Sequence, residues 1–472
     1  MRRKNVLLEN IEITDLAAEG KAIARAEGKI IFVTGAIPGD VVNIQLTKSK
    51  KDWAEAKVTK LITPSPHRIT PTCTHFGHCG GCKWQMLPYQ LQLQYKQNEV
   101  LQNLTRLGKV QLPIISPIMG CTQEYAYRNK LEFTFSNKRY RTQDEIGEHY
   151  SRDLVKLLPY EPALGYHIPR LYDKVLDITQ CHLMQEPMNE IRNGIKAFAL
   201  LHGIPFYDIK QRTGWLRNLV IRLTTTKQLM LNLVVAHPSN HYKQLILNYI
   251  VATYPQVTSL LYTINAKAND TIYDLPNELY HGTPNVVEEL GEFRFNISAT
   301  SFFQTNTKQA LALYNVTKAY TEMTGTQALY DLYCGTGSIG IYCSKLASKV
   351  VGVELIPQAV ADAQANAALN NIHHAQFIAG DVAEVCNDDF FATHGHANVV
   401  VTDPPRAGMH PALVQKIVDI KAPIVVYVSC NTATQARDLQ LLNSLYTVEK
   451  VQPVDMFPHT HHIENVVQLK LR

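Results

Sequence analysis

The strongest constraint on the fold lies between residues 399 and 430. Val399 to Thr402 is a short β-branched run, the mark of a buried strand. It stops at Asp403-Pro404-Pro405, which cannot continue a central strand because proline has no N–H for the ladder. Ile424 to Val428 is a second such run and ends in Ser429-Cys430, and the stretch between, Pro411 to Ile420, has helical character. Strand, helix and strand in that order predict parallel neighbours joined by a crossover. The tips Asp403 and Cys430 then share the carboxyl edge of the sheet, where open α/β sheets bind ligands. A cysteine held there is a candidate nucleophile. The competing reading is a small buried hydrophobe, the commoner fate of a free cysteine.

A related unit lies upstream. Ala328 to Leu332 reads as a strand, followed by Tyr333-Cys334-Gly335-Thr336-Gly337-Ser338-Ile339-Gly340, a helix, and a strand from Lys349 to Val353 that ends in Glu354. Glycines let the backbone approach a nucleotide-like ligand, and an acid at the end of the second strand accepts ribose hydroxyls. Taken literally, Gly335-x-Gly337-x-x-Gly340 is also the dinucleotide fingerprint, so NAD is an alternative. Asp331 argues against it: a carboxylate beside the loop repels a pyrophosphate but suits the ammonium of S-adenosylmethionine, which has no phosphate. Asp381 follows a third strand (Gln376 to Ala379) where an adenine contact is expected. Ser301-Phe302-Phe303-Gln304-Thr305-Asn306 precedes a helix from about Thr307 to Thr324.

At 472 residues the chain exceeds one ordinary core, so two or three domains are expected. The division read from the sequence is a small β-barrel over 1–63, a central α+β region over 64–290, and an α/β nucleotide-binding domain over 291–472. Charged residues make up 18% and hydrophobic residues 46%, as in a soluble globular protein. The net charge of +5 permits a polyanionic partner without demanding one. No apolar run reaches membrane-spanning length, and the opening Met-Arg-Arg-Lys-Asn does not lead into a signal peptide. A cytoplasmic monomer with reduced thiols is the expectation for such a chain with nine cysteines.

Within 1–63, short β-like runs (Asn10 to Thr14, Lys29 to Val33, Asp40 to Leu46, Trp53 to Leu61) alternate with turns, and Lys48, Lys50 and Lys51 sit beside Trp53. A basic loop with an aromatic suits a nucleic-acid surface of OB type and equally a solvated loop. The pattern Gly20 … Gly28 … Pro38-Gly39-Asp40 resembles a TRAM domain, an RNA-binding barrel. After the linker Pro64-Ser65-Pro66 come Cys73, Cys79 and Cys82, three thiols within ten positions in a glycine-rich segment. Such thiols converge on a metal, with Cys181 preferred to Cys121 as the fourth ligand. Spacing leaves zinc and an iron–sulfur cluster both open. Pro88 to Gly108 reads as a helix, and Arg128 and Lys130 beside two tyrosines suit either an RNA groove or a strand with a basic face.

Three methyl-transfer chemistries compete. Methylation of an exocyclic amine would leave Cys430 idle and usually has an aromatic residue where Arg406 stands. Cytosine-C5 enzymes carry a second cysteine directly after the Pro-Pro turn, again where Arg406 stands. Uracil-C5 methylation needs a thiolate to attack C6 and a base to remove the C5 hydrogen. Asp455-Met-Phe-Pro458-His459-Thr-His461-His462-Ile-Glu464 supplies candidates for that base, Glu464 and the histidines, which otherwise belong to a surface carboxylate and a solvated turn.

On these residues the sequence resembles the 23S rRNA (uracil-5-)-methyltransferase family, within the RNA uridine-C5 methyltransferases. The resemblance runs nearly the whole length, through the TRAM-like barrel, the cysteines, Phe302-Phe303-Gln304-x-Asn306, Asp331-Leu-Tyr-Cys-Gly-x-Gly, Asp403-Pro-Pro-Arg-Ala-Gly, Val-Ser-Cys430-Asn and Phe-Pro-His-Thr-x-His-x-Glu464. It implies Cys430 as nucleophile, Glu464 as proton acceptor, and Gln304, Tyr333, Glu354 and Asp403 at S-adenosylmethionine. It also implies a [4Fe-4S] cluster on Cys73, Cys79, Cys82 and Cys181, and Phe302 stacked on the target base. Ser338 and Asp381 are cofactor-side candidates at positions where family members differ. The implied partner is RNA, 23S rRNA ahead of tRNA. The non-enzymatic alternative is an iron–sulfur RNA-binding sensor with an idle methyltransferase fold.

Overall fold

Small and β-branched side chains close the N-terminal strands into a barrel. The structure, a computed structural model, describes residues 6–147, 160–169 and 171–472. Strands β1 (Leu7–Leu16), β2 (Ala22–Ala26), β3 (Lys29–Thr34), β4 (Val41–Ser49) and β5 (Trp53–Thr63) pair in the closed order β1-β2-β3-β5-β4. Ala22, Ala24, Ala54 and Ala56 are buried in its core with Ile31, Val33, Val42 and Ile44. A five-stranded barrel is narrow, which is why alanines line it and why β2 carries no β-branched run to announce it. The opening Met1–Asn5 segment lies outside the described residues.

A single buried carboxylate closes the barrel onto the next segment of chain. Asp40 accepts hydrogen bonds from the amides of Ile37 (2.8 Å) and Ser65 (2.9 Å) and from both Nε and Nη2 of Arg68 (3.1 and 2.5 Å). Helix α1 (Tyr89–Asn103) then leaves the barrel, and its last turn widens into a π-helical one over Leu104–Gly108. Its Val100 and the following Leu104 join the core formed with Ala436, Leu439 and Leu442, far along the chain.

The central region is a seven-stranded sheet. β6 (Lys130–Ser136), β7 (Ala163–Ile168), β8 (Leu171–Asp177), β9 (Leu216–Leu223), β10 (Leu229–Val235), β11 (Val257–Ile264) and β12 (Asn277–Gly282) run in the order β12-β11-β10-β9-β6-β7-β8. Helices α2 (Met188–Leu201) and α3 (Asn240–Thr253) pack on it through Ile191, Ile195, Ile246 and Ile250. The stretch before β6 does not form the strand with a basic face that was one reading of it. Ala126 turns through the left-handed region (φ 54°), Tyr127 is buried, and the ladder begins only at Lys130.

After the hairpin β13 (Val286–Leu290) and β14 (Phe293–Ile297), helix α4 (Thr307–Thr321) leads into the C-terminal sheet. There β15 (Gln327–Leu332), α5 (Ser338–Cys343), β16 (Ala347–Glu354), α6 (Pro357–Leu369), β17 (Ala375–Ala379), β18 (Val399–Thr402), α7 (Pro411–Ile420), β19 (Ile424–Ser429), α8 (Thr432–Leu442), β20 (Tyr446–Val454) and β21 (Glu464–Leu471) give the strand order β17-β16-β15-β18-β19-β21-β20. The first five strands in that order are parallel, and β21 runs antiparallel to β19. Helices cover both faces, so the inner strands β18 and β19 are buried along nearly their whole length rather than alternating. The predicted β18–α7–β19 crossover is present with the expected bounds, and Asp403 and Cys430 stand at neighbouring strand ends.

Asp40 yields a stability prediction. Burial alone would raise its pKa, but Arg68 and the amides of Ile37 and Ser65 outweigh it and hold the carboxylate below its ordinary 3.8. Its contribution is therefore complete above that value and is lost as pH falls through the lower, folded one. Asp40→Asn lowers the unfolding free energy by about 3 kcal/mol at neutral pH in urea titrations. The gap between the two proteins closes as both are acidified.

Candidate active site

Backbone geometry shapes the loop after β15. Tyr333 (φ 63°), Gly335 (φ 54°) and Gly337 (φ 75°) all occupy the left-handed region. At Tyr333, a residue with a Cβ, that conformation carries strain and turns the half-buried ring at the strand end. Glu354 holds the loop from the next strand: Gly335 N donates to its Oε2 (3.1 Å) and Ile356 N to its Oε1 (2.9 Å). Asp331 is fully buried, and Gly340 N donates to its Oδ2 (2.8 Å) while Oδ1 has no partner. Burial pushes its pKa up to about 7. Ser338 shares a hydrogen bond with Tyr314 Oη (2.8 Å), and Asp381 accepts one from Ala383 N (2.8 Å), so both are tied into the scaffold.

Two acids and one thiol crowd the edge formed by the carboxyl ends of β18 and β19 and the start of β21. Asp403 follows β18, Cys430 follows β19, and Glu464 opens the neighbouring β21. Glu464 is buried, and burial followed by the charge of Asp403 holds its carboxyl well above the usual carboxylate range. Burial lifts Asp403 to about 7. Burial, Glu464 and Asp403 push the Cys430 thiol up to about 11, against the pull of Arg406. Arg406 is the cation of the group: Asn431 Nδ2 and Thr434 Oγ1 both donate to its carbonyl (3.0 and 3.3 Å), tying the Asp403 loop to the Cys430 loop. In the sequence Arg406 stood out only as the residue occupying the place of another. In the loop before α4, Phe302 is 68% exposed beside buried Phe303 and Gln304.

Comparison with known proteins decides the family. A family model for tRNA (uracil-5-)-methyltransferase matches residues 264–472, and a TRAM domain model matches residues 5–59. An uncharacterized RNA methyltransferase of Bacteroides thetaiotaomicron is 47% identical over 97% of this chain and 100% of its own length. One of Porphyromonas gingivalis is 45% identical over 97% and 99%. The chain belongs to the RNA uracil-5 methyltransferase family. The crystal structure of the Pyrococcus abyssi tRNA (uracil-54, C5)-methyltransferase in complex with S-adenosyl-L-homocysteine aligns with a TM-score of 0.74 and 26% identity, covering 98% of this chain and all of the other.

In this methyltransferase the segment 455–463, which delivers Glu464, has no regular structure of its own and is held from outside. Lys96 Nζ donates to Asp455 Oδ1 (2.7 Å) and to the Phe457 carbonyl (3.3 Å), and both charged side chains are 0% exposed. Tyr89 Oη donates to Asp455 Oδ2 (2.8 Å), and the Cys121 thiol donates to the Asp455 carbonyl (3.0 Å). His459 N donates to Gln92 Oε1 (2.8 Å), Tyr127 Oη to the Pro458 carbonyl (3.1 Å) and Asn306 Nδ2 to the Met456 carbonyl (2.9 Å). The histidines are therefore not a solvated turn. His459 is buried, and burial lowers His459 and His461 to about 4 and His462 to about 3, so all three are neutral at pH 7. Lys96 and Tyr89 were not marked by the sequence because the apolar residues of α1 are interspersed with glutamines and its buried positions include Gln92 and Lys96 as well as Val100.

The methyltransferase brings Cys73, Cys79, Cys82 and Cys181 to one cavity of about 160 Å³. Cys121 lies apart, against Asp455. Among the described residues no three His, Cys, Asp or Glu side chains converge closely enough to hold a single metal ion. Burial raises Cys79 to about 12 and Cys82 to about 11.

Replacing Lys96 by Met leaves Asp455 buried without a counter-charge. That variant is expected to lose about 3–5 kcal/mol in urea denaturation, whereas Lys96→Met combined with Asp455→Leu recovers most of the loss.

Proposed function

We propose that the protein methylates C5 of a uridine in structured RNA through a covalent adduct between Cys430 and C6. The observation that carries the reading is the meeting of Cys430, Glu464 and Asp403 at one sheet edge with a glycine loop at its side. The Cys430 thiolate adds to C6, and the pair of electrons displaced makes C5 an enolate carbon. C5 takes the methyl group of S-adenosylmethionine as the S–CH3 bond breaks and S-adenosylhomocysteine departs with the bonding pair, and Glu464 removes the C5 proton. The C5–H electrons re-form the double bond, and the Cys430 sulfur leaves. Glu464 suits the base role because burial and Asp403 give it a high proton affinity. Phe302, exposed at the rim, offers its ring to an unstacked base, since the target has to leave its helix for C6 to be reached.

The donor would lie along the loop after β15, with Glu354 at the ribose hydroxyls, Tyr333, Gln304 and Asp403 around the methionine end, and Ser338 and Asp381 at the rim. The buried, half-satisfied Asp331 supports a cationic ligand at that edge. The division into barrel 1–63, central region 64–290 and methyl-transfer domain 291–472 assigns RNA binding to the first two.

The four cysteines line one cavity of about 160 Å³ and would hold the [4Fe-4S] cluster that the family resemblance implies. The cavity wall includes Arg128, and fully buried Arg192, whose Nη1 lacks a partner, acts on Cys181 and Tyr166 nearby. Cationic surroundings suit a site with four thiolates. When bound, the cluster would cross-link the segment 73–82 to Cys181, and methyl transfer itself requires no redox step.

23S rRNA is the favoured substrate, because barrel and cysteine motif occur together, and the enzyme would act as a cytoplasmic monomer. The second reading is tRNA, supported by the Pyrococcus abyssi enzyme, which acts on a tRNA and aligns across 98% of this chain. Anaerobically purified protein incubated with S-adenosylmethionine and 5-fluorouridine-substituted 23S rRNA fragments or tRNA is expected to give a band resistant to denaturing electrophoresis, absent in Cys430→Ala. Fluorine cannot leave as a proton does, so the adduct is trapped. An adduct with tRNA alone overturns the rRNA assignment, and none with either overturns the mechanism. With ordinary RNA, kcat/KM is expected to rise with pH across the neutral range, because thiolate forms only as the medium approaches the raised thiol value.

A further inference from the structure

A second cavity, of about 290 Å³, is lined by none of Asp403, Cys430 or Glu464. Three elements wall it: the segment 123–129 before β6, the tip of the β9–β10 hairpin, and the start of α4. Each contributes a cation. These are Arg128, Lys227 and Lys308, and the two lysines are exposed. The two lysines contact neutral groups, and Arg128 also lines the cavity of the four cysteines. Lys308 Nζ donates to Gln123 Oε1 (2.8 Å), Lys227 Nζ to Gln185 Oε1 (3.5 Å), and the Arg128 guanidinium lies 5.1 Å from the centre of the Phe457 ring with Nε unpartnered. The carboxylate behind this wall, Glu288, is fully buried and already taken by Thr225 N (2.7 Å), Thr307 Oγ1 (3.1 Å) and Asn129 Nδ2 (3.3 Å). The positive end of the 15-residue helix α4 faces the same space.

The cleft is also joined to the loop that presents Phe302. Asn129 N donates to the Thr305 carbonyl (2.7 Å), and Asn129 Nδ2 donates to the Gln304 carbonyl (3.0 Å). Arg128 meanwhile touches Phe457, inside the segment that delivers Glu464. A polymer strand whose base is turned into the catalytic edge past Phe302 has to run on along the protein surface, and this cleft is an adjoining cationic opening.

We infer that this cleft is a subsite for the sugar-phosphate of an RNA nucleotide flanking the methylated uridine, with Lys227 and Lys308 on its phosphate and the threonine and glutamine side chains of the rim on its ribose. Lysines act on phosphate as mobile point charges, and a 2′-hydroxyl both donates and accepts among neutral hydroxyl and amide groups. The inference rests on the proposed RNA-methyltransferase activity.

The test uses the full-length protein with S-adenosyl-L-homocysteine and the unmodified 23S rRNA fragment and tRNA transcripts, measuring filter binding across a range of KCl concentrations. Lys227→Gln with Lys308→Gln is expected to weaken binding roughly tenfold and to flatten log Kd against log salt by about 0.7 for each phosphate no longer neutralised. Affinity for S-adenosyl-L-homocysteine, read by calorimetry, stays as in the wild type. In turnover, KM rises while kcat holds, as for an interaction made equally in ground and transition states. A neutral methylphosphonate placed within about three nucleotides of the target should weaken the wild type but not the double variant. Charge reversal at both lysines should deepen every effect. Unchanged affinity and salt slope in the double variant, with a wild type that binds and methylates, overturn the subsite alone. A wild type that binds neither transcript overturns the RNA reading together with it.

Discussion

The path of the chain into its last strand depends on the buried ion pair between Lys96 and Asp455. The two residues are 359 positions apart, and their charges meet at 2.7 Å with no exposure to solvent. Removing two charges from water is costly, and the geometry here offsets that cost with further hydrogen bonds from Tyr89 and the Phe457 amide to the same carboxylate. Such a pair contributes less to net stability than to selecting one conformation. That matters because residues 455–463 lie between two strands without regular structure, and Glu464 begins where they end. A helix that comes after the barrel thus sets the path of the chain into the last strand.

The second physical theme is crowding of negative charge. Asp331, Asp403 and Glu464 all stand near the same strand ends with raised proton affinities, and Arg406 is the cation the edge itself supplies. Left alone, these carboxyls compete for protons. A cationic sulfonium and ammonium would relieve that repulsion, so the site is electrostatically incomplete in a way that suits the methyl donor. The same crowding holds the Cys430 thiol high, which ties Cys430 and Glu464 to one electrostatic environment.

Much of this edge was legible in the sequence because its signals are local. Asp-Pro-Pro and the glycine loop punctuate β-branched runs, and the bounds of α7 and β18 followed from that punctuation alone. Legibility failed where packing replaced pattern. Strand β2, Ala-Ile-Ala-Arg-Ala, is built for a narrow interior rather than for β propensity. The histidines of the C-terminal segment looked solvent-loving, yet His459 is buried against Gln92.

By itself the sequence determined the two strand–helix–strand units of the C-terminal sheet, their parallel crossovers, and hence that Asp403, Cys430, Glu354 and the glycine loop share one edge. These follow from short-range chain geometry and the handedness of the crossover. Tertiary structure alone decided that a polar helix would supply Lys96 and Tyr89, that Cys121 would pack on Asp455 while Cys181 faced the three clustered thiols, and that Arg128, Lys227 and Lys308 would line one cleft. Each of those meetings joins segments far apart in the chain, and no periodicity or spacing within a segment records which distant surface it will be packed against.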